Sequence, residues 1–449
     1  MSTLTRIFSH LLLGLTLVSF SCMAQSNTLT FEVPASLDQL APNKHAKINK
    51  SAYKQLEKIQ SLVAQEQGQA ALSALQKLVS NYQRNAYIVS LALQNAAYIY
   101  AETGQYKDAI KLLTRTLELQ SLKPGTLQNI RHLKAQLHFQ VEDYQATISA
   151  LEQWMSLEKG KEKDKGKRKT NEASAQDYYL IALSWYQLEN CPQAIATSEK
   201  GVIQLKIADE ALLKIQLNCY LQEKNYQAAS HTLTTLLTAA PENEAYWSQW
   251  NYTLLKLGKT GKALAAMETM AEQDMLTNKT LRLRYIRLLI AQDNAVRAAT
   301  TLEHYLNINE LDKSLENIRL LAHAWQHAGN TNKAISSFEK SPSSLSHKDA
   351  LKQFAQLLVE AEDWRKLAKN LEARLKTNTE SWTSFSIDKE SEWLLLQLGA
   401  SYNSLGRKDK ALSFFSALAE NKSLSLESQK QIKKWLRYLG SEEQQIIGF

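Results

Sequence analysis

The stretch Gly104-Gln105-Tyr106-Lys107-Asp108-Ala109 carries the pattern that decides the fold of this chain. Gly104 marks a turn, and Ala109 is a small residue near the start of the helix that follows. A small side chain there lets two helices approach closely. The equivalent position recurs along the chain, at Ala71, Ala109, Thr147, Ala194, Ala229, Ala263, Ala298, Ala334, Leu367 and Ala411.

Successive positions in this series are 33 to 38 residues apart, except for two gaps of 47 and 44 residues. This spacing is typical of the tetratricopeptide repeat, whose period is 34 residues. Four turn glycines lie five residues before the small position, where a left-handed backbone favours glycine, at Gly104, Gly258, Gly329 and Gly406. The sequence therefore predicts an all-α protein, a tetratricopeptide-type α-solenoid forming a right-handed superhelix of nine to ten helical hairpins.

The two long gaps and the termini define the predicted organisation. The segments are a signal peptide at 1–24, a tether at 25–49, the solenoid at 50–420 with a mobile Lys-rich loop at 159–175 and an insertion at 377–390, and a capping helix and tail at 421–449. Pro34 and Pro42 argue against a helix in the tether. The amphipathic stretch 429–439 is expected to close the exposed face of the last hairpin.

The N-terminus has the features of a secretory signal peptide. Arg6 precedes an apolar run at 7–20, and small residues surround the predicted cleavage site between Ala24 and Gln25. Cleavage would release the chain into the periplasm, and this is the favoured interpretation. Lipidation at Cys22 and an uncleaved anchor are the alternatives, but the apolar run is short for a bilayer core of about 30 Å. No other segment is predicted to span a membrane.

The positive charge of the chain is concentrated in one tract. The formal net charge is +8, and residues 159–169, KGKEKDKGKRK, contribute five of these charges. The rest of the chain is nearly neutral, which argues against nucleic acid as a partner. The tract is expected to be a solvated loop, and its functional alternative is peripheral contact with an anionic lipid, lipopolysaccharide or an acidic partner.

Two cysteines remain after the predicted cleavage, Cys191 and Cys219. Export would permit a disulfide between them without requiring it. The favoured interpretation is two small residues that face the core, because cysteine is often buried.

The chain shows no pattern that supports catalysis or a cofactor. Gly258-Lys259-Thr260 imitates the end of a phosphate-binding loop, but the required earlier glycine is replaced by Thr253. His323 and His327 could share a metal, yet no third ligand is evident nearby. We therefore predict no enzyme activity, no cofactor and no metal.

A binding surface is predicted on the first helix of each hairpin. In this architecture the first helices line a concave wall, and the position eleven residues before the small residue points into the groove. A mixed polar and aromatic row could hold an extended peptide or a helix. The candidate partner-binding residues are Tyr98, Asn218, Tyr252, Arg287, His323 and Gln356, with Arg319 one turn before His323.

The order of several phrases resembles periplasmic tetratricopeptide proteins that are encoded beside TonB, ExbB and ExbD in marine gammaproteobacteria. The matching stretches are 144–154, 240–247, 317–325 and 435–439. The resemblance implies a non-enzymatic accessory of energy-coupled uptake that contacts the periplasmic part of the TonB complex. The alternative function is a scaffold for the assembly of outer-membrane or polysaccharide-export machinery, and lipidation at Cys22 would favour it. The sequence leaves the oligomeric state open.

Overall fold

We describe a computed structural model of the 449-residue chain. The structure describes residues 30–34, 40–41, 48–159, 173–375 and 389–446. Regular structure in these ranges comprises 21 α-helices and one 3-10 helix, and they contain no β-strand. The chain divides into two compact units, Met1–Cys219 and Tyr220–Phe449, and each is described by itself.

The first unit holds eight complete helices and most of a ninth. Their bounds are α1 Lys50–Ala64, α2 Gly68–Asn81, α3 Ala86–Glu102, α4 Tyr106–Leu119, α5 Pro124–Gln140, α6 Tyr144–Lys159, α7 Ala175–Gln187, α8 Cys191–Leu205 and α9 Glu210–Gln222. From α1 to α8, each helix packs against the next one along the chain. This succession buries both sides of the inner helices, which an isolated pair could not do.

The second unit continues the same succession from the end of α9. Its helices are α10 Tyr226–Ala239, α11 Glu244–Lys256, α12 Thr260–Glu272, α13 Lys279–Ala291, α14 Ala295–Asn307, α15 Leu315–His327, α16 Thr331–Glu339, a 3-10 helix at Pro342–Ser346, α17 Lys348–Glu360, α18 Trp364–Leu375, α19 Lys389–Ser404, α20 Lys408–Ala419 and α21 Leu426–Ile446. Neighbours in this series are again in contact. Odd-numbered helices from α1 to α19 are the first helices of the repeats, and even-numbered ones are the second helices.

The ten small positions of the repeat all lie in second helices. Every one of them has 0% of its surface exposed, including Thr147 and Leu367, which are not small apolar residues. Complete burial at a fixed place in ten helices is what close packing of successive helices requires. The prediction of an all-α helical repeat fold is confirmed.

The turn between the two helices of each repeat adopts one conformation throughout. The residue five places before the small position has a positive φ in all ten repeats, at Glu66, Gly104, Glu142, Glu189, Lys224, Gly258, Asp293, Gly329, Glu362 and Gly406. The sequence identified only the four glycines. A left-handed residue closes the preceding helix because its backbone lets the chain reverse within a few residues.

The two cysteines of the first unit are bonded to each other. Cys191 opens α8, Cys219 lies near the end of α9, and their Cα atoms are 5.3 Å apart in a disulfide. Both are buried, with 4% and 0% of their surfaces exposed. The expectation of burial is therefore right, while the favoured interpretation of two unbonded core residues is wrong. The neighbouring helices bring together two residues that lie 28 positions apart in sequence.

Several predicted features lie outside the described residues. These are the signal peptide with Cys22, Ala24 and Gln25, most of the Lys-rich loop, and most of the insertion at 377–390. The described flanks show that α6 ends at Lys159, α7 begins at Ala175, and α19 begins at Lys389.

The final helix, α21, packs against α19 and α20. Its Trp435 ring stacks on Phe415 at 5.5 Å between centroids, and Ile432 and Leu439 are buried beside it. The basic side chains at 430, 433, 434 and 437 remain exposed. This helix therefore covers the apolar side of the last repeat and presents a charged surface to water.

Candidate protein-interaction face

The predicted binding residues all occupy first helices. Asn218, Tyr252, Arg287, His323 and Gln356 are exposed, while Tyr98 and Arg319 are half-buried. They lie on α3, α9, α11, α13, α15 and α17, one helix for each repeat concerned. Tyr98 and Asn218 belong to the first unit and the remaining five residues to the second. We call the set Tyr252, Arg287, Arg319, His323 and Gln356 the first-helix face of the second unit.

Helical periodicity explains why this face is exposed. Gln356 lies between Ala355 and Leu357, both of which have 0% of their surface exposed. Its own side chain points away from that buried side, as adjacent residues of a helix are turned by about 100° from each other. The same arrangement recurs at His323, between the buried Ala322 and Ala324.

Hydrogen bonds join consecutive first helices along this face. Arg287 of α13 donates from Nη2 to Glu316 Oε1 of α15 at 2.7 Å. Arg319 of α15 donates from Nε to Gln353 Oε1 of α17 at 3.2 Å, and its Nη1 lies 3.8 Å from Asp349 Oδ2. Each arginine is thus held in place by the first helix of the following repeat. The carboxylates of Glu316 and Asp349 partly compensate the two positive charges.

These ion pairs are exposed and therefore weak. The side chains of Arg287 and Glu316 are 54% and 73% exposed. Pairs of this kind contribute about 0–1 kcal/mol each. A carboxylate of a partner protein can therefore replace Glu316 at Arg287 at little cost in folding stability.

Sequence reasoning missed the acidic and amide partners on this face, although a signal for them exists. Glu316 follows Arg287 by 29 positions, and Gln353 follows Arg319 by 34. Both separations are close to one repeat. Polar residues one repeat apart on first helices are therefore the pattern that predicts such bonds.

Tyr252 lies in a small cluster with one aromatic and one cationic neighbour, Tyr226 and Lys256. Its ring meets Tyr226 of α10 edge to face, with centroids 6.3 Å apart. Lys256 Nζ lies 5.4 Å from the Tyr252 ring centroid, one turn along α11. The Tyr252 side chain is 43% exposed, so the face offers a rigid aromatic surface on which a partner can pack.

The two histidines of α15 lie beside each other. The ring centroids of His323 and His327 are 4.5 Å apart. Partial burial and the neighbouring His327 both lower the pKa of His323, which favours the neutral imidazole. No group of three or more His, Cys, Asp or Glu side chains suited to a metal occurs among the described residues.

The candidate residues of the first unit have separate surroundings. Tyr98 accepts a hydrogen bond at its hydroxyl from Gln94 Nε2 at 2.7 Å. Burial raises the pKa of Tyr98, and the Gln94 bond opposes that rise. Asn218 is exposed on α9 next to the disulfide-bonded Cys219.

The fold and this exposed face define the class of the molecule as a helical-repeat protein. Residues 91–121 match the tetratricopeptide repeat model. The matched stretch contains the phrase Gly104–Ala109 and covers most of α3, the turn and all of α4. Repeats of this kind stack into extended surfaces that bind other proteins.

Several solved structures of tetratricopeptide repeat proteins are similar to parts of this chain. One is a tetratricopeptide repeat protein from Parabacteroides merdae, with 15% identity and a TM-score of 0.36, covering 62% of this chain and 99% of that one. Another is the C-terminal part of a repeat protein from Cytophaga hutchinsonii, with 14% identity, a TM-score of 0.37, and coverage of 56% and 98%. YrrB, described as having an unusual peptide-binding site, has 15% identity, a TM-score of 0.34, and coverage of 47% and 96%. No curated protein matches the chain significantly.

None of the helices in the described part of the chain has both the length and the apolar character that crossing a bilayer requires.

Proposed function

We propose that this protein is a non-enzymatic periplasmic scaffold that captures a protein partner on its first helices and assists a TonB-dependent uptake system. The observation that carries the binding role is the first-helix face of the second unit. Exposed aromatic, cationic and amide side chains recur there on four successive first helices, at Tyr252, Arg287, His323 and Gln356. Such a row suits a peptide or helix of a partner protein, with aromatic and arginine side chains as anchors.

The periplasmic location is supported by two independent features. The N-terminal sequence has the charge, apolar run and small residues of an export signal. The disulfide between Cys191 and Cys219 supports export to an oxidising compartment, because cytosolic thiols are kept reduced. The TonB association rests on the phrases that this sequence shares with proteins encoded beside TonB, ExbB and ExbD.

A quadruple variant tests the binding face. Replacement of Tyr252, Arg287, His323 and Gln356 by alanine removes exposed side chains without opening the core. We expect partner capture in pull-down experiments to fall at least tenfold, because anchors of this type each contribute about 1–2 kcal/mol. The helical circular dichroism spectrum and melting temperature should stay close to those of the wild type.

A matched control carries four exposed substitutions on second helices instead. The residues are His231, Lys262, Thr300 and Asn332, each replaced by alanine. This control should capture the partner as the wild type does. If the quadruple variant of the first helices is folded and captures the partner as the wild type does, the proposed binding face is wrong.

The identity of the partner is tested by crosslinking in cells. The tagged protein is crosslinked during growth with and without iron, and the products are identified by mass spectrometry. Recovery of TonB, ExbB or ExbD supports the uptake role. Recovery of outer-membrane assembly or polysaccharide-export proteins in their place contradicts it and favours the alternative scaffold.

A further inference from the structure

An extended segment near the N-terminus lies against the first two repeats. We call Thr30–Pro34 the N-terminal strap. It has no regular secondary structure, and it contacts residues 39 and 44 positions further along the chain. The sequence predicted this region to be a tether, so its contacts with folded helices come from the tertiary structure.

One glutamine side chain holds the main chain of the strap. Gln76 of α2 accepts a hydrogen bond at Oε1 from the Glu32 amide at 2.9 Å. Its Nε2 donates to the Glu32 carbonyl oxygen at 2.6 Å. A single side-chain amide therefore satisfies both main-chain groups of one residue, as a neighbouring β-strand would. The Thr30 amide donates to Gln69 Oε1 at 3.4 Å, two turns earlier on α2.

The aromatic residue of the strap anchors it to the core. Phe31 is partly buried and packs against the apolar cluster built from α1 to α5. Tyr100 of α3 is only 4% exposed, so burial raises the pKa of its hydroxyl, and the backbone of Phe31 acts on that hydroxyl in the opposite direction. The strap is therefore held by an apolar anchor, Phe31, and by main-chain hydrogen bonds to Gln69 and Gln76 on either side of it.

The Glu32 and Val33 side chains of the strap are exposed. Recognition thus depends on extended backbone and on one aromatic side chain. Main-chain hydrogen bonds provide general affinity for an extended peptide, and a pocket for one side chain provides selectivity.

We propose that Gln69, Gln76 and Tyr100 form a binding site for an extended peptide with an aromatic residue, and that the chain fills this site with its own strap. The strap is then an internal ligand that blocks the site until it is displaced. This site is separate from the first-helix face and does not depend on the proposed function.

Hydrogen exchange of the full-length protein tests the docking of the strap. The Glu32 amide should be protected in the wild type, and Gln76→Ala should raise its exchange rate about tenfold through loss of its acceptor. Lys77→Ala, at the exposed next position on α2, is the control and should leave the rate unchanged. Equal exchange at Glu32 in the wild type and in Gln76→Ala would contradict the docking.

Binding in trans tests the site itself. The peptide Thr-Phe-Glu-Val-Pro is titrated into the wild type and into a deletion variant that lacks only residues 30–34. NMR chemical shifts of the protein measure the binding. The deletion variant should bind at least tenfold more tightly than the wild type, where the strap competes. Gln76→Ala in the deletion background, or Thr-Ala-Glu-Val-Pro as the peptide, should reduce that binding about tenfold.

A purely structural role for the strap gives a different result. If the folded deletion variant binds no peptide, or binds it as the wild type does, the proposal is wrong. If the deletion prevents folding, Phe31→Ala in the intact chain takes its place, because it loosens the strap without shortening the chain. A dimer in which the straps are exchanged between copies would overturn filling of the site by the same chain.

Discussion

At the scale of single residues, the turn of each repeat imposes its conformation on whatever residue occupies it. The positive φ five places before the small position is found at six charged residues as well as four glycines. A residue with a Cβ atom pays about 1 kcal/mol to adopt this conformation. The fold tolerates that cost because the packing of two helices on either side fixes the turn.

Substitutions at these turns should change stability in opposite directions. Gly329→Ala should lower the free energy of unfolding by about 1 kcal/mol, because alanine disfavours the φ of +70° at this position. No atom obstructs a new Cβ, so a steric clash adds nothing to this loss. Glu362→Gly should raise it by a smaller amount, because the greater freedom of glycine in the unfolded chain offsets part of the gain. Denaturation with urea measures both.

A helical glycine provides the control for these turn substitutions. Gly440 lies inside α21 with open space around it, so Gly440→Ala should stabilise the protein by about 0.5–1 kcal/mol. If Gly329→Ala also stabilises the protein, the left-handed turn is not what sets the preference for glycine at this position.

Another effect at the residue scale concerns a buried carboxylate. Asp177 has 2% of its surface exposed and lies in the first turn of α7. It forms a capping box with Ser174, and His132 Nε2 of α5 lies 2.5 Å from its Oδ1. Burial alone would raise the pKa of Asp177, but the hydrogen bonds from His132 and Ser174 together with the charge of His132 lower it overall.

The lowered pKa predicts loss of stability in acid. Because the folded pKa is below the unfolded one, Asp177 stabilises the fold above pH of about 4, and this contribution is lost as the pH falls through the folded pKa. Asp177→Asn should lower the free energy of unfolding by about 1–3 kcal/mol at pH 7, with a smaller difference in acid. Thermal melts from pH 7 to pH 3 measure it.

An exposed aspartate serves as the control for the Asp177 prediction. Asp108 pairs with Lys111 on the surface of α4, and Asp108→Asn should change stability by less than about 0.5 kcal/mol. A pH dependence for Asp177→Asn identical to that of the wild type would contradict the role of Asp177.

At the scale of elements, the docking of α21 depends on one close approach and one buried acid. Gly399 of α19 lies against Phe415, which stacks on Trp435 of α21. At the start of α21, the Glu392 carboxylate accepts hydrogen bonds from Ser425 and Ser428. A negative charge at a helix N-terminus is stabilising because it meets unpaired amides and the positive end of the dipole.

A methyl group at position 399 should loosen α21. A Cβ there would lie 2.4 Å from Phe415 Cζ, so Gly399→Ala must move the ring and, with it, Trp435. We expect a loss of about 1–3 kcal/mol and faster amide exchange throughout α21, which mass spectrometry can measure. Gly440→Ala on α21 itself should not increase exchange. Unaltered exchange in Gly399→Ala would show that the docking of α21 does not depend on this contact.

At the scale of the whole molecule, the disulfide is the one covalent link between helices in the described residues. It closes a loop with a sequence separation of 28 residues, which should stabilise the first unit by about 3.5 kcal/mol. Reduction of the wild type should therefore lower its unfolding midpoint in urea. The double variant Cys191→Ala and Cys219→Ala should be less stable and indifferent to the reductant, and equal responses of both proteins would contradict the link.

The sequence by itself determined the succession of helix pairs, their boundaries near the small positions, and the four glycine turns. These features follow from helical periodicity and backbone preference, which act over a few residues. Only the tertiary structure decided the six left-handed turns at charged residues. The same holds for four long-range contacts, which are the Cys191–Cys219 bond, the Arg287–Glu316 and Arg319–Gln353 pairs, and the position of the strap on Gln76. These arrangements join residues about 30–45 positions apart or override local preference, so they exist only once neighbouring helices have packed.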